Sequence, residues 1–383
     1  MTQSIGSGSV ATVAARMKEA RISTGMSVRA VADLIAERFP DDSISHSTIA
    51  NYEKASASPP VTVLEVLADV YQRPLPWFLE RSEPLRGVRY RCASSRVLVR
   101  ERNQYETQAQ HWLEGYVRLE RHLKQRLTSK KKIKKSYKDE PPEKLAEIVR
   151  TEWDYRPRDA IRSVIEIMEG FGIRVIELPT LSRIDGLAAQ FGSEFAVVLN
   201  PSQANDRSRL NAAHELAHIL YQDCQSPRRL NRHLDDRAFE FASNLLIPRL
   251  ELEEVFAARS AVALKEAKEY RGVSMAAMIY RAEKLGIIDA RAAKRLWIQF
   301  AKRGWRANEP GFVRPDRATR LETMIEKAVL QKQITWSEAA ATLGISRREL
   351  DQRIQRAYQP PDNQDHEQEG ASFGPRLLKQ SGE

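Results

Sequence analysis

Leu210-Asn211-Ala212-Ala213-His214-Glu215-Leu216-Ala217-His218-Ile219-Leu220 places two histidines four residues apart inside an apolar run. Leu210, Ala213, Ala217 and Leu220 recur at helical spacing, which predicts a helix with one buried face. Residues four apart stack on one face, about one turn from each other. Both imidazoles of H-E-x-x-H can therefore reach one metal ion, with Glu215 beside the remaining coordination positions. That arrangement supplies two zinc ligands and a general base for hydrolysis. Three fixed positions also arise by chance in many chains. Here the chain has 7 His in 383 residues and two of them fall at metal spacing inside a helical pattern, which favours the metal reading.

A third ligand is expected from the acidic helix downstream, Leu234-Asp235-Asp236-Arg237-Ala238-Phe239-Glu240-Phe241-Ala242-Ser243-Asn244-Leu245-Leu246-Ile247-Pro248. Ala238, Phe241, Ala242 and Leu245 form one apolar stripe, and Pro248 stops the helix. Asp235 lies at the edge of that stripe. Acidic residues in a first turn also suit the helix dipole without any ligand. Spacing alone leaves Asp235, Asp236 and Glu240 open.

In this region the chain resembles the ImmA/IrrE family of zinc metallopeptidase-like proteins. The family pattern R-x-x-x-A-H-E-L-x-H reads here as Arg209 to His218, after the apolar segment Phe195 to Asn200. The following helix is similar to the family's E-x-x-A-x-x-F-A-x-x-L-L-x-P. Val273-Ser274 through Ala282, Leu285 to Ile288, Gly304-Trp305-Arg306 and Glu309-Pro310 continue the likeness, which runs from about residue 145 to 315. The resemblance implies zinc held by His214, His218 and Asp235, with Glu215 as the catalytic base. It also implies a specific regulator protein as substrate, often a repressor of stress or mobile-element genes, and a trigger for activity. Asp235 stands where the family usually has Glu. Aspartate is one methylene shorter, so its helix must sit closer to the metal or the site must be looser, though its oxygen remains a competent zinc ligand.

Residues 10 to 80 carry a different pattern. Arg16 to Arg21 begins a basic amphipathic helix, Gly25-Met26-Ser27 breaks it, and Ser27 caps Val28 to Ile35. Ser43 to Lys54 and Val61 to Tyr71 follow as further helices. This succession resembles the helix-turn-helix domain of phage-repressor (XRE, Cro/C1-like) proteins, whose second motif helix enters the major groove. The likeness implies base and phosphate contacts from Ser45, His46, Ser47, Thr48 and Asn51, with Ile49 and Tyr52 packed inward and Glu53 structural. Glu37 to Asp42 makes the turn longer than the usual tight one.

The formal net charge of +10 favours nucleic acid or another polyanion as partner. The 2 Cys, Cys92 and Cys224, lie far apart and provide no disulfide framework, as expected for a reducing compartment. No apolar stretch has transmembrane length, and Met1 to Val10 lacks a basic region followed by an apolar core. A cytoplasmic protein without membrane contact is expected. The organisation read from these signals is a helix-turn-helix domain at 1–82, a helical connector with the basic run Lys130 to Lys138 at 83–142, the metallopeptidase-like domain at 143–315, a helical segment at 316–361 and a polar tail at 362–383. The basic run reads either as an exposed linker or as a phosphate-contacting segment. Ile334 to Leu350, with Gly344 at a turn and Ser346 as a cap, reads either as a second helix-turn-helix or as a supporting helical hairpin. The expected fold is mostly α, with an all-α N-terminal domain and an α+β zincin-like domain. Strands are expected at Gly172–Leu178, Gly186–Phe191 and Phe195–Leu199.

Two functions fit these patterns. The first is a homodimeric regulator that binds double-stranded DNA and carries a zinc endopeptidase. The second is a non-proteolytic regulator, or an antitoxin-like binder of a partner protein, whose zinc-type domain senses or dimerises.

Overall fold

The computed structural model describes residues 7–92, 97–180, 184–225, 232–306 and 308–358. Among them one four-stranded sheet is surrounded by sixteen helices. The N-terminal part is α1 (Ser7–Thr24), α2 (Val28–Arg38), α3 (His46–Glu53) and α4 (Val61–Tyr71). They enclose Val13, Met17, Val31, Ile35, Ile49, Leu64, Leu67, Trp77 and Phe78. Ser27 caps α2 by accepting from the Ala30 amide, as expected from its position.

After the N-terminal helices come β1 (Arg86–Cys92), α5 (Val99–His122), α6 (Pro142–Glu152), α7 (Val164–Gly170), β2 (Arg174–Glu177), β3 (Ile184–Phe191) and β4 (Glu194–Leu199). The strand order is β1-β3-β4-β2, with β2 and β4 parallel and the other pairs antiparallel. The three expected strands are present. The fourth, β1, comes from the segment read in the sequence only as connector. Its alternation pairs apolar Val88 and Tyr90 with Arg89 and Arg91. A strand carrying two arginines on one face looks solvent-exposed until something acidic is known to lie opposite it.

The helices that follow are α8 (Asn205–Leu220), α9 (Arg232–Leu246), α10 (Arg249–Ala257), α11 (Ala261–Arg271), α12 (Met275–Lys284), α13 (Ala290–Lys302), α14 (Arg320–Leu330), α15 (Trp336–Leu343) and α16 (Arg347–Tyr358). Period-two alternation divides the sheet between two cores. Val175, Ala188, Val197 and Leu199 face α8 and the helices packed on it, α6, α7, α9 and α12. Ile176, Leu187, Ala189, Ala196 and Val198 face α5 and α14 to α16. Burial on both faces explains why these strands read as nearly continuous apolar runs.

Polar side chains join the parts. Arg209 donates to Asp316 (2.9 Å) and to the Ile161 carbonyl (2.7 Å), tying the start of α8 to the segment before α14. Glu309 accepts from the Met275 and Ala276 amides and caps α12. In the basic run, Tyr137 is buried and donates to Glu152 (2.6 Å), while Lys130, Lys131, Lys132, Lys135 and Lys138 remain exposed.

Candidate metal centre and nucleic-acid interface

Helix α8 packs on β3 and β4 and also touches β1, with His214 beside Arg91 on β1 and Glu215 beside Gly186 on β3, while α9 packs along α8. His214, Glu215 and His218 are all buried. His214 Nε2 and His218 Nε2 lie 3.1 Å apart, and Asp235 Oδ1 is 3.6 Å from His218 Nε2. A tetrahedral zinc site with metal–ligand distances near 2.0–2.1 Å separates neighbouring ligand atoms by about 3.3 Å. The donor set and both measured separations therefore suit zinc. The same three residues form the one His/Cys/Asp/Glu group of metal-holding spacing among the described residues.

Asp235 reaches the pair because α9 packs along α8 through Ala238, Phe241, Ala242 and Leu245, all fully buried. Its side chain remains 54% exposed, so the group opens to solvent on that side. Of the alternatives that spacing left open, Glu240 pairs with Lys284 and Asp236 is exposed.

The second ring nitrogens are also engaged. Asp223 Oδ2 accepts from His218 Nδ1 (2.9 Å), and Asp223 Oδ1 accepts from Arg237 Nη2 (2.9 Å). Arg89 on β1 donates to the Asp223 carbonyl (2.9 Å) and fixes that turn. Arg91 Nη1 lies 3.0 Å from His214 Nδ1, and Arg91 Nε contacts Asn211 Oδ1. The donors and acceptors give this chain one direction. Asp223 Oδ2 accepts from His218 Nδ1–H, His218 Nε2 accepts from His214 Nε2–H, and His214 Nδ1 accepts from Arg91. His218 thus already presents a lone pair at Nε2, whereas His214 must move its proton to Nδ1 and release Arg91 before it can ligate. Asp223, Arg89 and Arg91 were not legible as site residues. The one sequence signal was the unusual arginine alternation in 86–92.

Both carboxylate oxygens of Glu215 are buried without a hydrogen-bond partner. Burial pushes its carboxyl up to about 7, against the opposing pull of His218 and Arg91. Burial, then Arg91 and His218, hold His214 well below the usual imidazole range, so it is neutral. Burial also raises the Asp235 carboxyl. A bound dication would draw both carboxyls back towards the ionised form.

Cys224 is a buried free thiol on the turn beside Asp223, and burial raises its pKa far above the ordinary range. Gly87 on β1 passes so close to this turn that a Cβ there would lie 1.6 Å from the Cys224 carbonyl oxygen.

In the N-terminal domain, Ser45 Oγ caps α3 by accepting from the Thr48 amide (3.1 Å) and lies 2.8 Å from both Ser47 Oγ and Thr48 Oγ1. Ser45, His46, Ser47 and Asn51 are exposed, and Thr48 is half-buried. Ile49 is fully buried, Tyr52 packs on the domain core, and Glu53 holds Arg21 through two hydrogen bonds of 2.6 and 2.7 Å. The long turn contains a short 3-10 helix at Pro40–Asp42, with Asp41 and Asp42 exposed.

Fold and site together define a helix-turn-helix domain joined to an α+β domain of the H-E-x-x-H type. Residues 12–76 match a helix-turn-helix domain family, and residues 168–283 match the peptidase family described as the IrrE N-terminal-like domain. The chain thus carries a DNA-binding module and an IrrE-like, metallopeptidase-type module. His214, Glu215, His218 and Asp235 fall within the second match; β1 and α14 to α16 lie outside both. No curated protein resembles the chain closely enough to be matched to it. No described helix is long and apolar enough to cross a membrane.

Proposed function

We propose that this protein is a DNA-binding regulator whose second domain is a zinc-dependent endopeptidase acting on a specific regulator protein. The observation that carries the reading is the convergence of His214 Nε2 and His218 Nε2 beside Glu215, whose buried carboxylate has no other partner. Residues His214, His218 and Asp235 would hold the metal. Zinc, when bound, supplies Lewis-acid polarisation of the scissile carbonyl and lowers the pKa of water.

The chain's own residues do the rest. Asp223 keeps the His218 ring oriented with its proton on Nδ1. Glu215 accepts the proton of the attacking water at a carboxylate oxygen and delivers it to the leaving amine nitrogen. The ring of buried aliphatic side chains from α8 and the sheet excludes bulk water from the inner side. The open side at Asp235 is where an extended peptide would enter. The exposed α3 residues Ser45, His46, Ser47 and Asn51, with Thr48, contact duplex DNA in the major groove, and a homodimer reads two half-sites about one helical turn apart. The likeness to ImmA/IrrE proteins supports a repressor in a stress or mobile-element response as the protein substrate.

The test is the Glu215→Gln variant in a strain that also carries the genes around this one. Loss of a cleavage product seen with the wild type, with zinc content retained, is the expected result. Cleavage that persists in Glu215→Gln would remove the assignment. The Arg91 contact favours a second reading, in which the domain senses metal and regulates without cleavage, because filling the site must first displace Arg91. Unaltered promoter regulation by Glu215→Gln, together with loss of regulation in His214→Ala, would favour that reading.

A further inference from the structure

The C-terminal helices contain a second surface suited to DNA. Helix α14 packs under α15 and α16, which are joined by only three residues, Gly344-Ile345-Ser346. Gly344 has φ +73, a left-handed conformation that glycine adopts without strain. Ser346 Oγ caps α16 by accepting from the Glu349 amide (3.1 Å), and Thr335 with Glu338 forms a capping box on α15. Two helices linked by a three- or four-residue turn with glycine, resting on a third helix, make the helix-turn-helix unit whose second helix enters the major groove. By this criterion the C-terminal turn is tighter than the seven residues between α2 and α3.

The inner side of the unit is filled. Leu321, Ile325, Ala339, Ala340, Leu343, Ile345 and Leu350 are buried. Arg353 is buried over the Trp112 ring, pairs with Glu322 and donates to the Glu177 carbonyl (2.9 Å). The outer side of α16 carries Arg348, Gln352, Gln355 and Arg356, all exposed and at i, i+4, i+7 and i+8. The two acids of α16 lie off this stripe: Asp351 pairs with Arg347, and Glu349 is drawn in beside Arg73 and Arg353. Arg347 also lies over the Trp336 ring, joining the N-termini of α15 and α16 into one surface. Arginine and glutamine are the side chains that pair with guanine and adenine edges in the major groove.

This unit is fixed to the rest of the chain. Arg73, just after α4, donates to the Gly344 carbonyl (2.5 Å), and Arg118 on α5 donates to the Thr342 carbonyl (2.9 Å). At Gly115, α5 approaches so closely that a Cβ would lie 2.5 Å from the Leu343 carbonyl oxygen. A free supporting hairpin would satisfy the same core without this run of exposed arginine and glutamine, beside which the acid Asp351 is half-exposed and held by Arg347. We infer that α16 is a second duplex-DNA reading helix, so that one chain contacts DNA through both α3 and α16.

The experiment compares four full-length proteins on duplexes selected by the wild type from a random pool about four turns long, ~40 base pairs. They are the wild type, Arg348→Ala/Gln352→Ala/Arg356→Ala, Ser47→Ala/Asn51→Ala, and the combination. The α16 variant should lose about tenfold or more in affinity, protect a shorter stretch of DNA, and show a log–log salt slope lower by about two. Its melting temperature should stay close to that of the wild type, because all three side chains are exposed. Arg356 alone also lines a cleft with Glu177, Glu322 and Arg353 and acts on Glu349, so Arg348→Ala/Gln352→Ala is the control for any loss of stability. A further variant, Arg348→Lys alone, should keep the wild-type salt slope while relaxing base preference. Wild-type affinity, slope and footprint in the α16 variant would overturn the inference and leave the α3 reading intact. Weakening by the α16 variant with no effect of the α3 variant would do the reverse. A wild-type chain that selects no duplex would overturn both.

Discussion

Replacing Asp223 tests whether the site is built from its outer residues inward. Its Oδ2 accepts from His218 Nδ1 at 2.9 Å, and its Oδ1 accepts from Arg237 at 2.9 Å. In Asp223→Asn an oxygen can still accept from Nδ1, but the charge that makes His218 a stronger ligand is gone. In Asp223→Ala the buried Nδ1–H has no partner, at a cost of about 1–3 kcal/mol, and the imidazole is free to turn. Partners of metal-bound histidines typically contribute 10–100-fold in affinity, or about 1.4–2.7 kcal/mol. Zinc affinity should therefore fall about tenfold in Asp223→Asn and towards a hundredfold in Asp223→Ala, measured by competition with a chromophoric chelator. Circular dichroism and thermal melting of the metal-free proteins separate this from unfolding: Asp223→Asn should melt close to the wild type. If Asp223→Ala folds normally and binds zinc within twofold of the wild type, His218 is not oriented through Nδ1 and the argument fails.

Other perturbations test the surrounding structure. Arg91→Met keeps the buried stem but removes a cation beside His214, so zinc should bind on the order of tenfold more tightly; weaker binding would mean that Arg91 supports the loaded site. Gly87→Ala adds a Cβ 1.6 Å from the Cys224 carbonyl at φ +56, and should cost about 4 kcal/mol in denaturant unfolding; a cost under about 1 kcal/mol would show that the 221–225 turn yields freely. Glu169 is raised from 4.5 to about 7 chiefly by burial. Its folded pKa lies above the unfolded one, so its contribution is fully present below about pH 4.5 and is lost as pH rises through about 7. Glu169→Gln should remove that loss, at most about 3 kcal/mol, when unfolding curves at pH 5 and pH 8 are compared; parallel pH dependence in the two proteins would refute it.

The sequence by itself determined the local arrangements. The i, i+4 spacing of His214 and His218 fixed their common face, because helix geometry depends only on neighbours along the chain. The apolar stripe of α9 and the N-cap Ser27 were legible for the same reason, whereas the capping of α3 by Ser45 came from the structure. Asp235 was one of three candidates by spacing, and the family resemblance chose it. Its approach to His218 came from the packing of α9 along α8, since carboxylates in one helical turn differ in role only through what lies across from them.

Tertiary structure alone decided the arginines. Arg89 and Arg91 fell in a segment read only as connector, yet they face the Asp223 turn and His214 because β1 pairs with β3 far along the chain. It also decided the place of the C-terminal helices. Caps and a glycine turn showed that α15 and α16 form, but which side of α16 faces solvent depended on Arg353 finding Trp112 and Glu322. Such long-range pairings follow from three-dimensional packing, which carries no fixed spacing in sequence.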